Sequence, residues 1–155
     1  MDGEAVEQLL EDLKAADPTI RDRATQALWE LWFRQKGVTG LEQLQRSQAL
    51  LEAGDAESAE RLLTRLIESL PDFAEAWNRR AVLRYTQHQY AEALQDCEAT
   101  LRLVPFHFGA LHGLGLCYAA LGDYRAAIET FHRASEVQPH ALINKKLMLE
   151  CQALL

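Results

Sequence analysis

The sequence predicts an all-α protein, an α-solenoid of antiparallel helix pairs. Small residues recur with a fixed period, so that Ala93 falls on Ala127 when the sequence is shifted by 34 residues. Prolines recur at the same spacing, at Pro71, Pro105 and Pro139. A period of this length is typical of repeat proteins, in which each helical hairpin buries its apolar face against the next.

The period divides the centre of the chain into three repeats, at residues 40–73, 74–107 and 108–141. Gly-Asp pairs mark the turns of the first and third repeats, and each proline ends a repeat. The expected helices are 41–53 and 56–69, then 74–87 and 90–103, then 108–121 and 124–137. In the second repeat His88 and Gln89 stand where the other two have Gly and Asp.

These repeats resemble the tetratricopeptide-repeat family. Trp77 stands at the Trp position of the family signature, and the third repeat keeps Leu114, Gly115, Tyr118, Ala127, Phe131, Ala134 and Pro139. The first repeat is degenerate, with Gln43 and Leu50 at the Trp and Tyr positions. The resemblance covers about residues 40–139. It implies a right-handed superhelix whose concave groove is lined by the first helix of each pair.

The segments on either side of the repeats are predicted to be caps. Residues 1–38 form an N-terminal helical hairpin similar to a HEAT-type unit, with Asp17 and Pro18 starting its second helix and the sequence GVTG as a linker. Residues 141–155 form a C-terminal capping helix, with Leu142, Ile143, Leu147, Cys151 and Leu154 inward and Asn144, Lys145 and Glu150 outward. Caps are needed because end repeats otherwise leave apolar faces in water. We expect one continuous structural domain.

The overall charge disfavours a nucleic-acid partner. The net charge is −7, and an acidic surface repels phosphate backbones. No apolar run approaches the length of a membrane span, and the N-terminus lacks the pattern of a secretory signal. We therefore expect a cytoplasmic protein without a membrane partner, although a protein trimmed of a transit peptide would look the same.

Signatures of catalysis and of metal or cofactor binding are missing from the sequence. There is no P-loop, no H-E-x-x-H, no G-x-S-x-G and no dinucleotide fingerprint. The five histidines show no ligand spacing, and Cys97 and Cys117 are interpreted as small core residues. We expect no catalytic residue, no metal and no cofactor.

The resemblance implies a set of groove residues, which lie at the family's groove-facing positions with Arg79 at the rim: Leu44, Gln48, Leu51, Glu75, Asn78, Arg79, Val82, Tyr85, His112 and Leu116. Relatives that grip the carboxylate tails of the chaperones Hsp70 and Hsp90 carry Lys, Asn and Arg at fixed points of this groove. The matching positions here hold Leu44, Gln48, Arg79, Gly109 and Gly113, so these tails are disfavoured. The mostly apolar groove suits a peptide or an amphipathic helix.

Two further clusters have alternative interpretations. Trp29, Trp32 and Phe33 form an aromatic face that either packs against the first repeat or is an exposed patch that anchors a partner. Arg80 and Arg84, one helical turn apart, either pair with acidic residues such as Glu68 or Asp96 or receive an acidic side chain of a partner.

The leading functional prediction is a non-catalytic protein–protein interaction module, namely a scaffold, adaptor or assembly factor that binds its partner in the groove. The first alternative is self-association into a homo-oligomer through the end caps or the aromatic patch. The second is a helical-repeat RNA binder, which the acidic charge disfavours.

Overall fold

The computed structural model describes residues 3–155, and over this range the chain forms nine α-helices and no strand. The helices are α1 Gly3–Asp12, α2 Pro18–Phe33, α3 Gly37–Glu52, α4 Ala56–Ser69, α5 Ala74–Thr86, α6 Tyr90–Leu103, α7 Phe108–Ala120, α8 Tyr124–Val137 and α9 Leu142–Ala153. The pairs α3–α4, α5–α6 and α7–α8 stack in order. The predicted all-α solenoid is confirmed.

The turns inside the three pairs share one backbone conformation. Gly54 and Gly122 both have φ of +81°, and the aspartate after each glycine caps the following helix through its side chain. His88 occupies the corresponding place in the second pair and has φ of +62°, which is uncommon for a residue with a side chain. The repeat geometry therefore imposes the left-handed turn even where glycine is missing.

Small residues at recurring positions let the helices of a pair approach closely. A Cβ atom on Gly115 of α7 would lie 2.5 Å from the ring of Phe131 of α8, so only glycine fits there. Ala93 and Ala127, at the equivalent place in α6 and α8, are completely buried. The same contacts repeated along the array produce one continuous core.

The predicted GVTG linker is wrong, because these residues form the first turn of α3. Gly37 supplies a φ of +67° just after α2, and the amine of Lys36 bonds the Asp72 carboxylate at 2.7 Å. Gly40 is buried against Phe73, whose ring would be 3.2 Å from an added Cβ. The two glycines therefore serve a sharp turn and a close contact, and not a flexible connection.

The hairpin α1–α2 does not cap the end of the first repeat, contrary to expectation. Its buried side chains Leu13, Ala24, Leu28 and Trp32 form a cluster with Phe108 at the start of α7. The half-buried residues around this cluster include Val104, Phe106 and Val137 from the second and third repeats. The hairpin packs against the second and third repeats because their aromatic and aliphatic side chains and its own apolar faces are thereby removed from water.

The last helix, α9, packs against α8 through Cys151 and the half-buried Leu147. The predicted orientation is wrong at both ends of the helix: Asn144 is buried, whereas Leu142 is 68% exposed, Ile143 is 48% exposed and Leu154 is 61% exposed. Asn144 is held inside by a 3.2 Å hydrogen bond between its Oδ1 and Nδ1 of His112. Asn144, Leu147 and Cys151 lie on one helical stripe, so the packing of Leu147 and Cys151 on α8 turns Asn144 inward and leaves Leu142 and Ile143 in solvent.

Among the residues that the structure describes, no helix combines the length and the apolar character needed to cross a membrane.

Candidate functional site

The candidate site lies on the surface formed by α3, α5 and α7, the first helices of the three pairs, which we call the A-helix face. Helix α2 of the same chain covers part of this face. The Trp29 ring lies over the start of α7, where a Cβ added to Gly109 would be 2.7 Å from it. Glu75 and Asn78, both predicted groove residues, are buried. The accessible groove is therefore narrower than the sequence implied.

A buried histidine joins α2 to the second and third repeats. His107 precedes α7, and its Nδ1 accepts a hydrogen bond from the backbone N–H of Ala110 at 3.0 Å. Because Nδ1 accepts, the ring proton lies on Nε2, which donates to Oε2 of Glu75 at 3.0 Å. The Trp32 indole stacks on the same imidazole with ring centroids 4.0 Å apart. One side chain thus contacts α2, α5 and α7.

The Glu75 carboxylate is fully buried, and both of its oxygens are hydrogen-bonded. Oε1 accepts from Nδ2 of Asn78 at 3.2 Å and from Nε of Arg79 at 3.3 Å. A buried carboxylate is costly unless it is paired and hydrogen-bonded, and this one has a guanidinium, an amide and an imidazole around it. Glu75 therefore positions its neighbours and is not a free ligand for a partner.

The aromatic side chains of α2 form a connected cluster. Trp29 meets Trp32 edge-on at 5.2 Å between ring centroids and stacks on Phe33 at 5.5 Å. Trp32 is only 3% exposed, because it fills the space between the His107 and Phe108 rings. The predicted exposed patch therefore does not include Trp32. Nor does the cluster pack on the first repeat alone, since Trp29 and Trp32 contact the start of α7.

A cleft of about 640 Å³ lies between α2 and α5, and we call it the aromatic cleft. Half-buried Trp29 and Phe33 line it from α2, and Val82, 54% exposed, lines it from α5. The remaining lining residues are Gln26, Glu30, Glu75, Asn78 and Arg79. A concave, mostly apolar wall with a few polar groups is the usual character of a binding site.

A smaller hollow of about 280 Å³ continues the aromatic cleft towards α3, and the two share Phe33 and Arg79. The Arg79 guanidinium lies 5.0 Å from the centroid of the Phe33 ring and donates to Oε1 of Gln48 at 3.1 Å. Leu44 borders the hollow but is 2% exposed and belongs to the core. Arg79 is thus the polar group that joins the two hollows.

The other predicted groove residues are spread along the A-helix face. Gln48 is exposed and Leu51 is half-buried on α3, while Tyr85 of α5 is half-buried and its burial raises the pKa of its hydroxyl. On α7, His112 is bonded to Asn144, and half-buried Leu116 packs against the cluster of α8 and α9. The structure therefore brings together Glu75, Asn78, Arg79 and Val82, and it separates these from His112 and Leu116.

Three residues at or beside the aromatic cleft were not predicted from the sequence: Gln26, Glu30 and His107. Gln26 and Glu30 lie on α2, which was assigned to a cap, so nothing placed them near α5. His107 occurs in the loop after Pro105 and falls on Phe73 when shifted by one period. A histidine at a position that is aromatic and buried one repeat earlier was the available signal, since a buried imidazole requires polar partners.

Arg80 and Arg84 form a paired network on the opposite side of α5. Nε and Nη2 of Arg80 donate to both oxygens of the buried Asp96 at 2.9 Å, and Arg84 donates to the same carboxylate at 3.0 Å. Nε of Arg84 also donates to Oε1 of Glu60 at 2.9 Å. The predicted pairing with Asp96 is present, and the second partner is Glu60 instead of Glu68. Bidentate geometry makes this a stabilising network between neighbouring helices.

The three cysteines, Cys97, Cys117 and Cys151, are buried free thiols. The hydrogen bond that the Cys97 thiol donates to Cys117, together with burial, raises the pKa of Cys97, so this thiol stays protonated and unreactive. Within residues 3–155 no group of three or more His, Cys, Asp or Glu side chains is placed to hold a metal ion.

Solved structures of similar fold include two peptide-bound domains. The first tetratricopeptide-repeat domain of Spaghetti (RPAP3), bound to an HSP90 peptide, superimposes with a TM-score of 0.70 at 20% identity, covering 74% of this chain and 91% of that one. The TPR2B domain of yeast Sti1, in a complex with Hsp70, gives 0.66 at 20% identity, covering 72% and 94%. At this identity the likeness shows the fold.

Sequence relatives include a repeat-containing protein of Rhizobium etli, 35% identical over 69 residues, which are 44% of this chain and 34% of that protein. Human Superkiller complex protein 3 is 32% identical over 94 residues, 59% of this chain and 6% of its own length. The chain thus spans about a third or less of these relatives. Two models described as tetratricopeptide repeat match residues 44–108 and 84–147. The chain belongs to the tetratricopeptide-repeat family.

Proposed function

We propose that this protein is a non-catalytic protein–protein interaction module that binds a peptide or an amphipathic helix on the A-helix face. The observation that carries the proposal is the aromatic cleft, in which Trp29 and Phe33 face Asn78, Arg79 and Val82. The apolar side chains of this cleft can bury a hydrophobic side chain of the partner, while exposed Gln26 and half-buried Arg79 offer donors to the partner's backbone. The continuation towards α3 gives room for several residues.

The comparisons support an interaction role. The similar domains of Spaghetti and of yeast Sti1 hold chaperone peptides. In this chain Leu44 is buried and Gly109 is covered by Trp29, at two points where chaperone-binding relatives need donors. We therefore propose a partner other than the acidic tails of Hsp70 and Hsp90.

A binding experiment with one variant in the cleft and one outside it tests the proposal. Val82→Asp places a charge in the aromatic cleft, and Leu103→Asp makes the same change at a comparably exposed residue of α6. Neither substitution removes a buried contact, so stability should change by about 0.5 kcal/mol or less. We expect a partner to be captured from lysate by the wild type and by Leu103→Asp, and to be lost with Val82→Asp. Partners retained equally by both variants would contradict binding in the cleft.

The disfavoured chaperone tails can be tested with peptides of known sequence. Titration calorimetry with SRMEEVD and SGPTIEEVD, the peptides bound by the similar RPAP3 domains, should give no measurable heat of binding. Saturable binding of either peptide, abolished by Arg79→Ala, would show that the groove accepts an acidic tail through a different set of donors.

Self-association is a second candidate, and the exposed apolar residues of α9 favour it. Leu142 is 68% exposed, Leu149 is 66% exposed and Leu154 is 61% exposed. A dimer that dissociates on Leu142→Glu and Leu149→Glu, measured by sedimentation velocity, would support this alternative. A monomer at all concentrations would exclude it.

A further inference from the structure

The outer side of the first repeat is an open cavity of about 690 Å³ between α3 and α4. Its apolar lining includes Leu50 and Leu62, and its rim carries Arg46, Arg61 and Arg65. None of the described residues that line it is acidic, although Arg61 and Arg65 also border a neighbouring hollow that is lined by Glu57, Glu60 and Glu68. The buried cluster of the hairpin α1–α2 lies against the second and third repeats, and no residue of the hairpin lines this cavity.

In the second repeat, the equivalent surface on α5 and α6 is covered by helix α4 of the first repeat. Arg80 and Arg84 of α5 reach back to α4, the second helix of the preceding repeat. There Nη1 of Arg80 donates to the Thr64 hydroxyl at 3.2 Å, and Nε of Arg84 donates to the Glu60 carboxylate at 2.9 Å. Both arginines also bond Asp96 of α6. The preceding helix therefore supplies a hydroxyl to Arg80 and a carboxylate to Arg84, while the charge of Arg80 is neutralised by Asp96 of its own repeat.

The first repeat has an arginine at the place of Arg80, a leucine (Leu50) at the place of Arg84, and no counter-ion at the place of Asp96. Shifted by one period, Arg46 falls on Arg80, and Leu62 stands where the second repeat has Asp96. No repeat precedes α3 in the described structure, so no helix occupies the place that α4 has for α5. Within residues 3–155 neither Arg46 nor Arg65 has an ion-pair partner, whereas Arg61 bonds Glu57 at 2.8 Å.

We propose that this surface binds an acidic amphipathic helix of a partner protein, which occupies the place of the missing second helix of a preceding repeat. The leucines between α3 and α4 would receive the apolar face of that helix. Its carboxylates would pair with Arg46 and Arg65, the two exposed arginines of this surface that have no ion-pair partner within residues 3–155. The surface is separate from the aromatic cleft, so the two can bind different segments.

Fluorescence anisotropy with designed peptides tests this proposal. The probe is a labelled helical peptide of about four turns, with a leucine stripe flanked by glutamates, and the matched probe has lysines at the glutamate positions. We expect the glutamate peptide to bind the wild type and the lysine peptide to bind at least about tenfold more weakly, with the difference shrinking as salt rises. No binding of the glutamate peptide, or equal binding of both, overturns the proposal.

Charge-reversal variants test whether the glutamate peptide binds at Arg46 and Arg65. Arg46→Glu with Arg65→Glu should weaken the glutamate peptide roughly tenfold or more, because two exposed attractive pairs become repulsive. Arg125→Glu with Arg133→Glu, at exposed positions of α8, makes the same change in net charge and should have little effect. Equal loss in both double variants would overturn the proposal, as would loss with Val82→Asp. A dimer of the wild type that Arg46→Glu with Arg65→Glu abolishes would replace the acidic partner with a second copy of this chain.

Discussion

The second and third repeats and the hairpin α1–α2 are held in the structure by different kinds of contact. In the repeats the contacts recur, as with Ala93 and Ala127 at equivalent buried positions. The hairpin is held by contacts that occur once, above all Trp32 stacked on His107. Recurring contacts can be read from a period, whereas a unique contact needs both partners to be recognised independently. The comparison explains why the array was predictable and the position of the hairpin was not.

The largest loss of stability is expected for Trp32, whose indole contacts both His107 and Phe108. Trp32→Ala removes a buried indole from between His107 and Phe108 and should lower the free energy of unfolding by about 3–5 kcal/mol. Urea denaturation followed by circular dichroism measures it. The comparison variant Trp77→Phe removes mainly the 2.9 Å hydrogen bond from the indole to the Pro71 carbonyl, at about 1 kcal/mol. If Trp32→Ala cost no more than Trp77→Phe, the hairpin would not be docked as described.

A set of glycine substitutions compares the repeats with the hairpin directly. Gly115→Ala should cost about 1–3 kcal/mol, because its Cβ would meet the completely buried Phe131 ring. Gly109→Ala should cost less, about 1 kcal/mol, because the half-buried Trp29 can shift. Gly113→Ala, whose nearest neighbour would be the Cys97 sulfur at 3.2 Å, is the control and should be near neutral. Equal costs at Gly113 and Gly115 in thermal unfolding would refute the close approach of α7 and α8.

The buried carboxylate gives a third, smaller prediction. Glu75→Gln keeps the shape of the side chain but removes the charge that accepts hydrogen bonds from Arg79 and His107. We expect a loss of about 1–2 kcal/mol in unfolding free energy. The Nε2–H group of His107 should also lose its charged acceptor, which the chemical shifts of Nε2 and its proton report. Unchanged shifts in the variant would show that Glu75 does not orient His107.

The smallest change in stability is expected for the contact between Lys36, which precedes α3, and Asp72. The hydrogen bond from Lys36 lowers the pKa of Asp72 below its usual value of 3.8. A lowered folded-state pKa means that this contact stabilises the fold above about pH 4, and that the contribution is lost as the pH falls through the folded pKa. Lys36→Met should return the Asp72 pKa towards its usual value in a carboxyl NMR titration. An Asp72 pKa that is the same in wild type and variant would contradict the contact.

The sequence predicted the repeat helices because proline, glycine and alanine have fixed geometric roles in a close-packed helical hairpin. Gly115 and Phe131, for example, are both signature residues of the third repeat, and in the structure they pack against each other. The sequence did not predict that Gly37 and Gly40 lie in the first turn of α3, since glycine is equally typical of a linker. The rotation of α9 was missed because Asn144 shares the packed stripe of Leu147 and Cys151, and side-chain patterns count only apolar residues.

Only one wall of the aromatic cleft was predicted, because only α5 belongs to the repeating pattern. The family pattern placed Asn78, Arg79 and Val82 on one face of α5, and the structure puts all three in the aromatic cleft. The opposite wall comes from α2, which lies outside the repeating pattern, so no period could bring Trp29 or Phe33 there. Tertiary docking of a non-repeating helix depends on shape and burial, which are properties of the folded array.

The central claim is that α2 lies on the A-helix face and not over the end of the first repeat. Nuclear Overhauser effects from the indole protons of Trp29 and Trp32 test it most directly. We predict cross-peaks from Trp29 to the Hα protons of Gly109 and from Trp32 to the ring protons of His107. Cross-peaks from these indoles to Leu50 or Leu62 instead would place the hairpin over the end of the first repeat and would contradict the account.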